Sequence, residues 1–226
     1  MSPSSFRRSR ALAPPMFAAA AIMLSVCGSA LADPPQQLSN GLQRVQTNKV
    51  VLAYVKPGTD WTKYKTIYLQ KLVVPANARN AAPAGADPGF GESYLLTASD
   101  VAQVQDTFSK SMHKVLGNNG FTFVTTPQAD TLIVKPEVVK IVLSAPIENT
   151  REGYSGMGFT VSRGGGAIEV EAVLADGGTN NILAEVVDRK YGSNVWGLNN
   201  SVTNWAEARD VFDQWANDLS DKLTAK

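Results

Sequence analysis

The chain has 226 residues, and its 21 basic and 20 acidic side chains leave a net charge of +1. This near balance gives no reason to expect nucleic acid or a strongly anionic membrane surface as a partner. One cysteine and one histidine are too few for a disulfide framework or for a metal site built on those residue types. A chain of this length fits one domain with a sizeable buried core.

The first 32 residues contain the three parts of a secretory signal peptide. Three arginines and no acidic residue occur in the first ten positions, an apolar run follows at Phe17–Val26, and small residues lead to Ala30–Ala32. The apolar run is too short to cross a bilayer, which needs about 20 helical residues. No later stretch approaches that length, so we expect an exported protein without a transmembrane span.

Two processing sites compete at the end of this segment. Lipoprotein processing at Cys27 needs a small residue before the cysteine, but Val26 is branched and bulky. Cleavage between Ala32 and Asp33 is therefore favoured, with a lipid anchor at Cys27 as the alternative. The arginine pair near the start leaves Sec and twin-arginine export open. Removal of residues 1–32 leaves 194 residues with 18 basic and 20 acidic side chains and no cysteine.

Residues 33–48 are polar and proline-bearing, which predicts a flexible tether before a single domain at residues 49–226. Runs rich in β-branched and aromatic residues predict strands at Lys49–Val55 and Lys65–Val74. Trp61 and Tyr64 lie between these two strands and are expected to anchor a turn to the core. An Ala-, Pro- and Gly-rich stretch then predicts a long loop at Pro75–Ser93.

The next segment has the signals of an amphipathic helix. Thr97 and Asp100 are spaced as a capping box, and Gly117–Gly120 is expected to end the helix. Apolar residues at steps of three and four form one stripe, made of Val101, Val104, Phe108, Met112 and Val115.

Four further strands are predicted. They are Phe121–Thr126, Thr131–Leu143, Ala167–Ala175 and Asn181–Lys190, and the last two form a hairpin closed by "DGGTN". Pro136 in the second of these has no N–H for a ladder, so it implies an edge or a bulge. In the hairpin the core-facing positions are Ile168, Val170, Ala172 and Leu174, while Glu169 and Glu171 face outward.

A final helix is predicted at about Trp205–Thr224, with Asn204 as its cap and Glu207 as the capping-box partner. Its apolar stripe consists of Ala208, Val211, Phe212, Trp215, Leu219 and Leu223. Two amphipathic helices and about six strands can bury their apolar faces together. The expected fold is therefore α+β, a single mostly antiparallel sheet of about five to six strands with both helices packed on one face.

The sequence offers little catalytic chemistry. His113 lies off the apolar stripe of its helix and is expected to face solvent rather than to act as a base or a metal ligand. The "RGGGAIEV" stretch that starts at Arg163 resembles a phosphate loop, but its glycines open a strand rather than a helix, which favours a flexible strand entry.

Carboxylates are concentrated on the predicted hairpin, at Glu169, Glu171, Glu185 and Asp188. Paired carboxylates can perform acid–base catalysis, as in hydrolases. The outer face of a half-exposed hairpin also carries such charges for solubility. We therefore expect a protein that is not an enzyme, with a hydrolase using these carboxylates as the alternative.

The connection at Ile147–Gly164 is long for a link between two strands, and such loops are often functional. Its aromatic, methionine and arginine side chains are of the types enriched at protein interfaces, and we predict a partner-binding surface made of Arg151, Tyr154, Met157, Phe159 and Arg163. The alternative is that Phe159 and Val161 extend the following strand and pack on the sheet.

Three segments resemble a family of bacterial exported proteins, domain-of-unknown-function family 3313. They are "VKPGTDWTKYKTIYLQKLVV", "LTASDVAQVQDTFSKSMHKVL" and "GGGAIEVEAVLADGGTNNILAEVVDRKYG", and the resemblance covers about Val50–Leu219. It implies an envelope location and the α+β layout but no activity. Many relatives resemble lipoproteins, and Val26 before Cys27 departs from that pattern.

Together these observations predict a periplasmic, non-enzymatic protein that binds another envelope protein, with no cofactor or metal and no nucleic-acid partner. An outer-membrane lipoprotein is the alternative location. A periplasmic small-molecule binder with a pocket under the Pro75–Ser93 loop is a further alternative, which an enclosed apolar cavity with few polar groups would favour.

Overall fold

The computed structural model describes residues 33–75, 96–142, 160–162, 166–192, 197–199 and 201–225. Eleven elements occur in these ranges. In chain order they are β1 (Gln43–Val45), β2 (Leu52–Val55), β3 (Thr66–Leu69), α1 (Ala98–Asn118), β4 (Thr122–Phe123), β5 (Thr131–Val142), β6 (Thr160–Ser162), β7 (Ala167–Asp176), β8 (Ile182–Tyr191), β9 (Gly197–Asn199) and α2 (Ser201–Thr224).

The main sheet has seven strands in the order β1-β2-β8-β7-β5-β3-β4, and β6 and β9 form a separate two-stranded sheet. The α+β class is confirmed, but the sheet is larger than the predicted five to six strands and is mixed. Strand β3 is parallel to both β4 and β5, and the other neighbours in the main sheet are antiparallel. The parallel pair arises because α1 connects β3 to β4, and a helical crossover is the usual link between parallel strands.

Part of the segment predicted as a flexible tether belongs to the main sheet. Strand β1 lies within residues 33–48 and pairs with β2 in antiparallel register. Leu42, just before it, is only 1% exposed. The Tyr54 hydroxyl donates a hydrogen bond of 2.8 Å to the carbonyl of Pro35. The compact unit accordingly starts at Pro35 rather than at residue 49, because paired backbone and a buried leucine hold this segment on the sheet.

Helix α1 begins as its sequence predicts. Thr97 Oγ1 accepts the Asp100 N–H at 3.2 Å, and the Thr97 N–H donates to Asp100 Oδ2 at 2.8 Å, so both halves of the capping box form. His113 is exposed as expected. Its ring also stacks on Phe123, with centroids 3.8 Å apart, a contact that helical periodicity alone does not show.

Helix α2 begins at Ser201, four residues before the predicted start. Asn204 therefore lies inside the helix and is not its cap. The sequence before Trp205 contains several residues with capping side chains, so periodicity alone did not fix the first turn. Glu207, predicted as the capping-box partner, instead accepts a hydrogen bond of 3.2 Å from the N–H of Gly166.

Pro136 lies on β5, a central strand rather than an edge. Its carbonyl accepts from the Val73 N–H at 3.0 Å, on the side where regular pairing with β3 has ended at Leu69. The nitrogen of Pro136 faces the same side and has no N–H to donate, and regular pairing gives way there to separate bonds with Val73. A register shift between Val138 and Lys140 supplies the predicted bulge.

Both helices lie against one face of the main sheet, as predicted. They contact each other through Phe108 and Phe212, whose rings meet edge to face at 5.3 Å. Alternate residues of β5, β7 and β8 share this inner face, and the hairpin residues Ile168, Val170 and Leu174 belong to the same buried cluster as the helices.

A polar cluster, here called the Asp176 node, closes the β7–β8 hairpin. Asp176 Oδ2 accepts from Lys63 Nζ and from the Tyr64 hydroxyl, each at 2.8 Å. Its Oδ1 accepts from the N–H and the hydroxyl of Thr179 and from the N–H of Gly178. Burial alone would raise the pKa of Asp176, but these hydrogen bonds outweigh it and hold the pKa well below its usual range. Burial, and then the bond to Asp176, raise the pKa of Tyr64 to about 12.

Candidate functional site

An apolar cavity of about 230 Å³ lies between the inner face of the main sheet and the two helices. The sheet and the helices both line it, and five of the lining residues are polar or charged, namely Thr47, Lys49, Asp188, Asp218 and Lys222. The apolar lining consists of Val45, Val50, Ala53, Val55, Trp61, Phe108, Met112, Val134, Pro136, Val170, Ala172, Leu174, Ala184, Val186, Trp215 and Leu219.

Small side chains at the centre of the sheet create this space. Ala172 of β7 and Ala53 of β2 both pair with Val186 of β8, and Ala184 pairs with Leu174. Three alanines therefore lie close together on the face that the helices cover. A methyl group is too short to fill the distance between a sheet and a helix layer, where packing normally needs larger residues.

The cavity also explains the incomplete burial of two stripe residues on α2. Val211, Phe212 and Leu223 are almost fully buried, whereas Trp215 and Leu219 are only partly buried. Both partly buried side chains line the cavity. The face of α2 that the sequence predicted to be buried is thus correct. Trp215 and Leu219 on this face are partly exposed because they border the cavity.

The cavity is partly open to solvent rather than sealed within the core, so small molecules can reach its apolar lining.

A group of charged side chains borders the cavity and is here called the mouth: Lys49, Asp188 and Asp218 line the cavity, and Asp221 and Lys190 form ion pairs with them. Lys49 Nζ lies 2.6 Å from Asp221 Oδ2 and 3.8 Å from Asp218 Oδ1. Lys190 Nζ lies 2.9 Å from Asp218 Oδ2 and 3.2 Å from Asp188 Oδ2. The hydrogen bond to Asp221 raises the pKa of Lys49. These ion pairs tie the β1–β2 connection and β8 to the last turns of α2.

Asp188 is built into the wall next to the mouth. Its Oδ2 accepts from Trp215 Nε1 at 2.6 Å, and its Oδ1 accepts from the Val51 N–H at 3.1 Å. Burial would lower the pKa of Lys190, but Asp218 and Asp188 outweigh this effect and the pKa is raised. Both oxygens of Asp188 are thus engaged, so this carboxylate orients Trp215 rather than facing a substrate.

The four carboxylates proposed for a hydrolase do not converge in a cleft. Asp188 lies on the inner face, whereas Glu169, Glu171 and Glu185 lie on the opposite face of β7 and β8. Glu169 forms an ion pair with Arg189, and Glu185 accepts from Asn40 Nδ2 at 2.8 Å. Burial, and then the charges of Glu185 and Glu137, raise the pKa of Glu171.

The predicted partner-binding residues Arg151, Tyr154, Met157, Phe159 and Arg163 lie outside the described residues. So do the leader with Cys27 and Ala32 and most of the predicted Pro75–Ser93 loop. The alternative prediction was that Val161 extends the strand that follows it. Val161 lies instead in β6 and pairs with Leu198 of β9.

The sequence did not predict the position of this cavity. It suggested a pocket only under the predicted Pro75–Ser93 loop. Two signals were available. The residues of β8 on the inner face are Ala184, Val186, Asp188 and Lys190. Two charged residues therefore share the face of the strand that carries the apolar ones. Alanines also occur at inner-face positions of adjacent strands, a pattern that becomes visible only once the strand order is known.

Residues 35–219 match the family described as protein of unknown function (DUF3313), and the chain belongs to that family. No curated protein matches the sequence. Within the described residues, neither helix combines the length and the apolar character that a membrane crossing requires.

Several solved structures are similar to this chain at low identity. Protein XCC0632 of Xanthomonas campestris is 12% identical, with a TM-score of 0.36 over 75% of this chain and 90% of that one. The hypothetical protein CT253 of Chlamydia trachomatis is 9% identical, with a TM-score of 0.41 over 72% and 99%. A minor lipoprotein of Acinetobacter baumannii is 12% identical, with a TM-score of 0.31 over 72% and 94%. Because these scores are low, the likeness carries no information about function.

Proposed function

We propose that this member of the DUF3313 family is an exported, non-enzymatic binding protein of the bacterial cell envelope, and that the cavity between sheet and helices is its ligand site. The apolar cavity is the observation that carries the proposal. Concave, mostly apolar sites with a few polar groups are the usual form of small-molecule sites in proteins. The hairpin carboxylates lie on both faces of the sheet, with Asp188 apart from the three glutamates, which gives less support to a hydrolase that uses all four.

The proposal of export rests on the leader sequence. The compact unit and the family match both begin at residue 35, close to the expected first mature residue, Asp33. Mass spectrometry of the protein recovered from the periplasm of an expressing bacterium should give a mature chain that starts at Asp33. A diacylglycerol-modified Cys27 in the membrane fraction would contradict this part of the proposal.

Ligand binding can be tested with an uncharged probe, 1-decanol, by isothermal titration calorimetry on the purified protein. Ala172→Leu and Ala184→Leu place a larger side chain into the cavity from two strands. Each should weaken decanol binding by about tenfold or more. Ala102→Leu makes the same change at an exposed position of α1 and should leave binding unaltered.

Two results would overturn the ligand site. One is no measurable decanol binding to the wild-type protein. The other is that all three leucine variants bind decanol with the affinity of the wild type, which would place the probe outside the cavity.

Contact with another envelope protein through the Ile147–Gly164 connection stays a separate prediction. Replacing Tyr154 and Phe159 together with serine should abolish capture of that protein in a pull-down from an envelope extract and leave the melting temperature almost unchanged. Unfolding of the double variant would instead assign these side chains to the core.

A further inference from the structure

The connection between β1 and β2, residues 46–51, forms part of the cavity wall and is here called the strap. Its residues Thr47, Lys49 and Val50 line the cavity. Regular pairing of β1 with β2 ends at Val45 and Ala53, so the strap lies outside the ladder. This part of the wall is therefore not held by the sheet.

Charged side chains attach the strap to the neighbouring elements. Lys49 Nζ lies 2.6 Å from Asp221 Oδ2, in the last turn of α2. Two hydrogen bonds end on the strap backbone: Lys190 Nζ donates to the Lys49 carbonyl at 3.2 Å, and the Val51 N–H donates to Asp188 Oδ1 at 3.1 Å. Each of these attachments includes a charged group, so the strap is held mainly by electrostatic contacts.

Burial does little to hold the strap in place. Val51 is 68% exposed, and none of residues 46–51 is buried. Exposed ion pairs add little stability, and segments with few buried apolar contacts open at a low cost in free energy. The rest of the wall comes from paired strands, from the two helices and from Trp61, which is buried. The strap is therefore the part of the wall that moves most easily.

We propose that the strap is a lid on the cavity and that the ion pair between Lys49 and Asp221 is its latch. Release of the latch lets the strap move away from α2 and widens the opening through which a ligand enters and leaves. This inference rests on the proposed ligand site and adds how access to that site is controlled. Because the latch joins two exposed charges, access also depends on ionic strength.

The kinetics of 1-decanol binding test the lid. Stopped-flow tryptophan fluorescence can follow the reaction because Trp61 and Trp215 line the cavity. Asp221→Asn weakens the latch from α2, and Asp221 is not one of the residues that line the cavity. At low salt it should raise both the association and the dissociation rate constant by about twofold to fivefold, the effect of one exposed ion pair. A merely damaged site would release decanol faster but would not take it up faster.

Two further variants identify the latch. Asp106→Asn is the matched control, because Asp106 forms an exposed ion pair with Lys110 on α1, away from the cavity, and it should leave both rate constants unchanged. Lys49→Gln breaks the latch from the strap and should also speed association. Adding Asp221→Asn to Lys49→Gln should give no further increase, because the same ion pair can be lost only once.

Salt provides an independent measurement on the same proteins. The Debye length falls from about 30 Å at about 0.01 M salt to about 3 Å at about 1 M salt, so high salt weakens the latch of the wild type. The association rate constants of the wild type and of Asp221→Asn should therefore converge as salt is added. Decanol is uncharged and is the same ligand in both reactions, so its own response to salt cancels in this comparison.

An association rate constant of Asp221→Asn equal to that of the wild type at low salt would overturn the lid and leave the ligand site intact. The same conclusion would follow if the ratio of the two rate constants did not change with salt, or if Asp106→Asn accelerated association equally. Absence of any decanol binding would overturn the ligand site itself. The two failures therefore give different results in one series of measurements.

Discussion

Two regions of the molecule that share strand β7 are built in opposite ways. Ala172 and Leu174 line the cavity, where the core is underpacked. Asp176, at the end of the same strand, has both oxygens saturated by hydrogen bonds from two neighbouring segments. The contrast suggests that the polar node fixes the hairpin firmly enough for the sheet to tolerate a gap a few residues away.

The largest effect should come from the polar node. Asp176→Ala removes the acceptor of Lys63 and strands the hydroxyl of fully buried Tyr64. A charged hydrogen bond contributes about 1.5–3 kcal/mol and an unsatisfied buried hydroxyl costs about 1–3 kcal/mol, so we expect a loss of about 4 kcal/mol in chemical denaturation. Asp106→Ala, at an exposed position of α1, should stay within about 0.5 kcal/mol. Similar losses for both variants would show that the node does not stabilise the hairpin.

The same carboxylate gives the node a pH dependence. Because the folded state lowers the pKa of Asp176, its contribution is present above the ordinary aspartate pKa of about 4 and is lost as the pH falls through the folded-state value. The difference in stability between wild type and Asp176→Ala should therefore shrink below about pH 4.

The next effect should come from the cavity wall. Trp215→Ala removes a stripe residue that contacts Phe212 and donates to buried Asp188. Truncation of a buried aromatic residue costs about 3–5 kcal/mol, and we expect about 3 kcal/mol because Trp215 borders open space. His113→Ala serves as the comparison: it removes an exposed stack on Phe123 and an exposed hydrogen bond to the Ser109 carbonyl, and it should cost about 0.5 kcal/mol. Equal losses in thermal melts would contradict the helix phases.

A smaller change, of opposite sign, should follow when the gap is filled. Ala172→Leu adds three buried carbons, each worth up to about 0.8 kcal/mol before the cost of ordering the side chain, so we expect a gain of about 1 kcal/mol. Stability should rise while binding falls, as expected where a functional site is maintained against packing. A destabilised variant would indicate that the cavity walls cannot accommodate a larger side chain.

The sequence predicted the helices and strands better than the way they are assembled. The capping box of Thr97 and Asp100 and the apolar stripes depend on neighbours a few residues apart, so local spacing is sufficient to find them. The parallel position of β3 and the incorporation of β1 depend on pairing between distant segments. The cavity depends on which alanines become neighbours across three strands, and no single stretch of sequence contains that information.

The smallest effect concerns Glu171, on the sheet face opposite the cavity. Burial and the charges of Glu185 and Glu137 raise its pKa. The folded protein therefore holds this proton at pH values where the unfolded chain, with a pKa of about 4, has released it. Stability falls as the pH rises from about 4 through the raised value, and the loss persists at pH 7.

Glu171→Gln removes the charge that causes this loss. It should raise the free energy of unfolding at pH 7 by less than about 1 kcal/mol, because the side chain keeps some contact with water. At pH 3, where wild-type Glu171 is protonated in both states, the two proteins should have nearly equal stability. Glu169→Gln is the matched control on the same strand and face, and it should give no gain because Glu169 pairs with Arg189. An equal gain at both pH values would show that the glutamine acts through packing, and a loss at pH 7 would show that Glu171 makes a favourable contact as an anion.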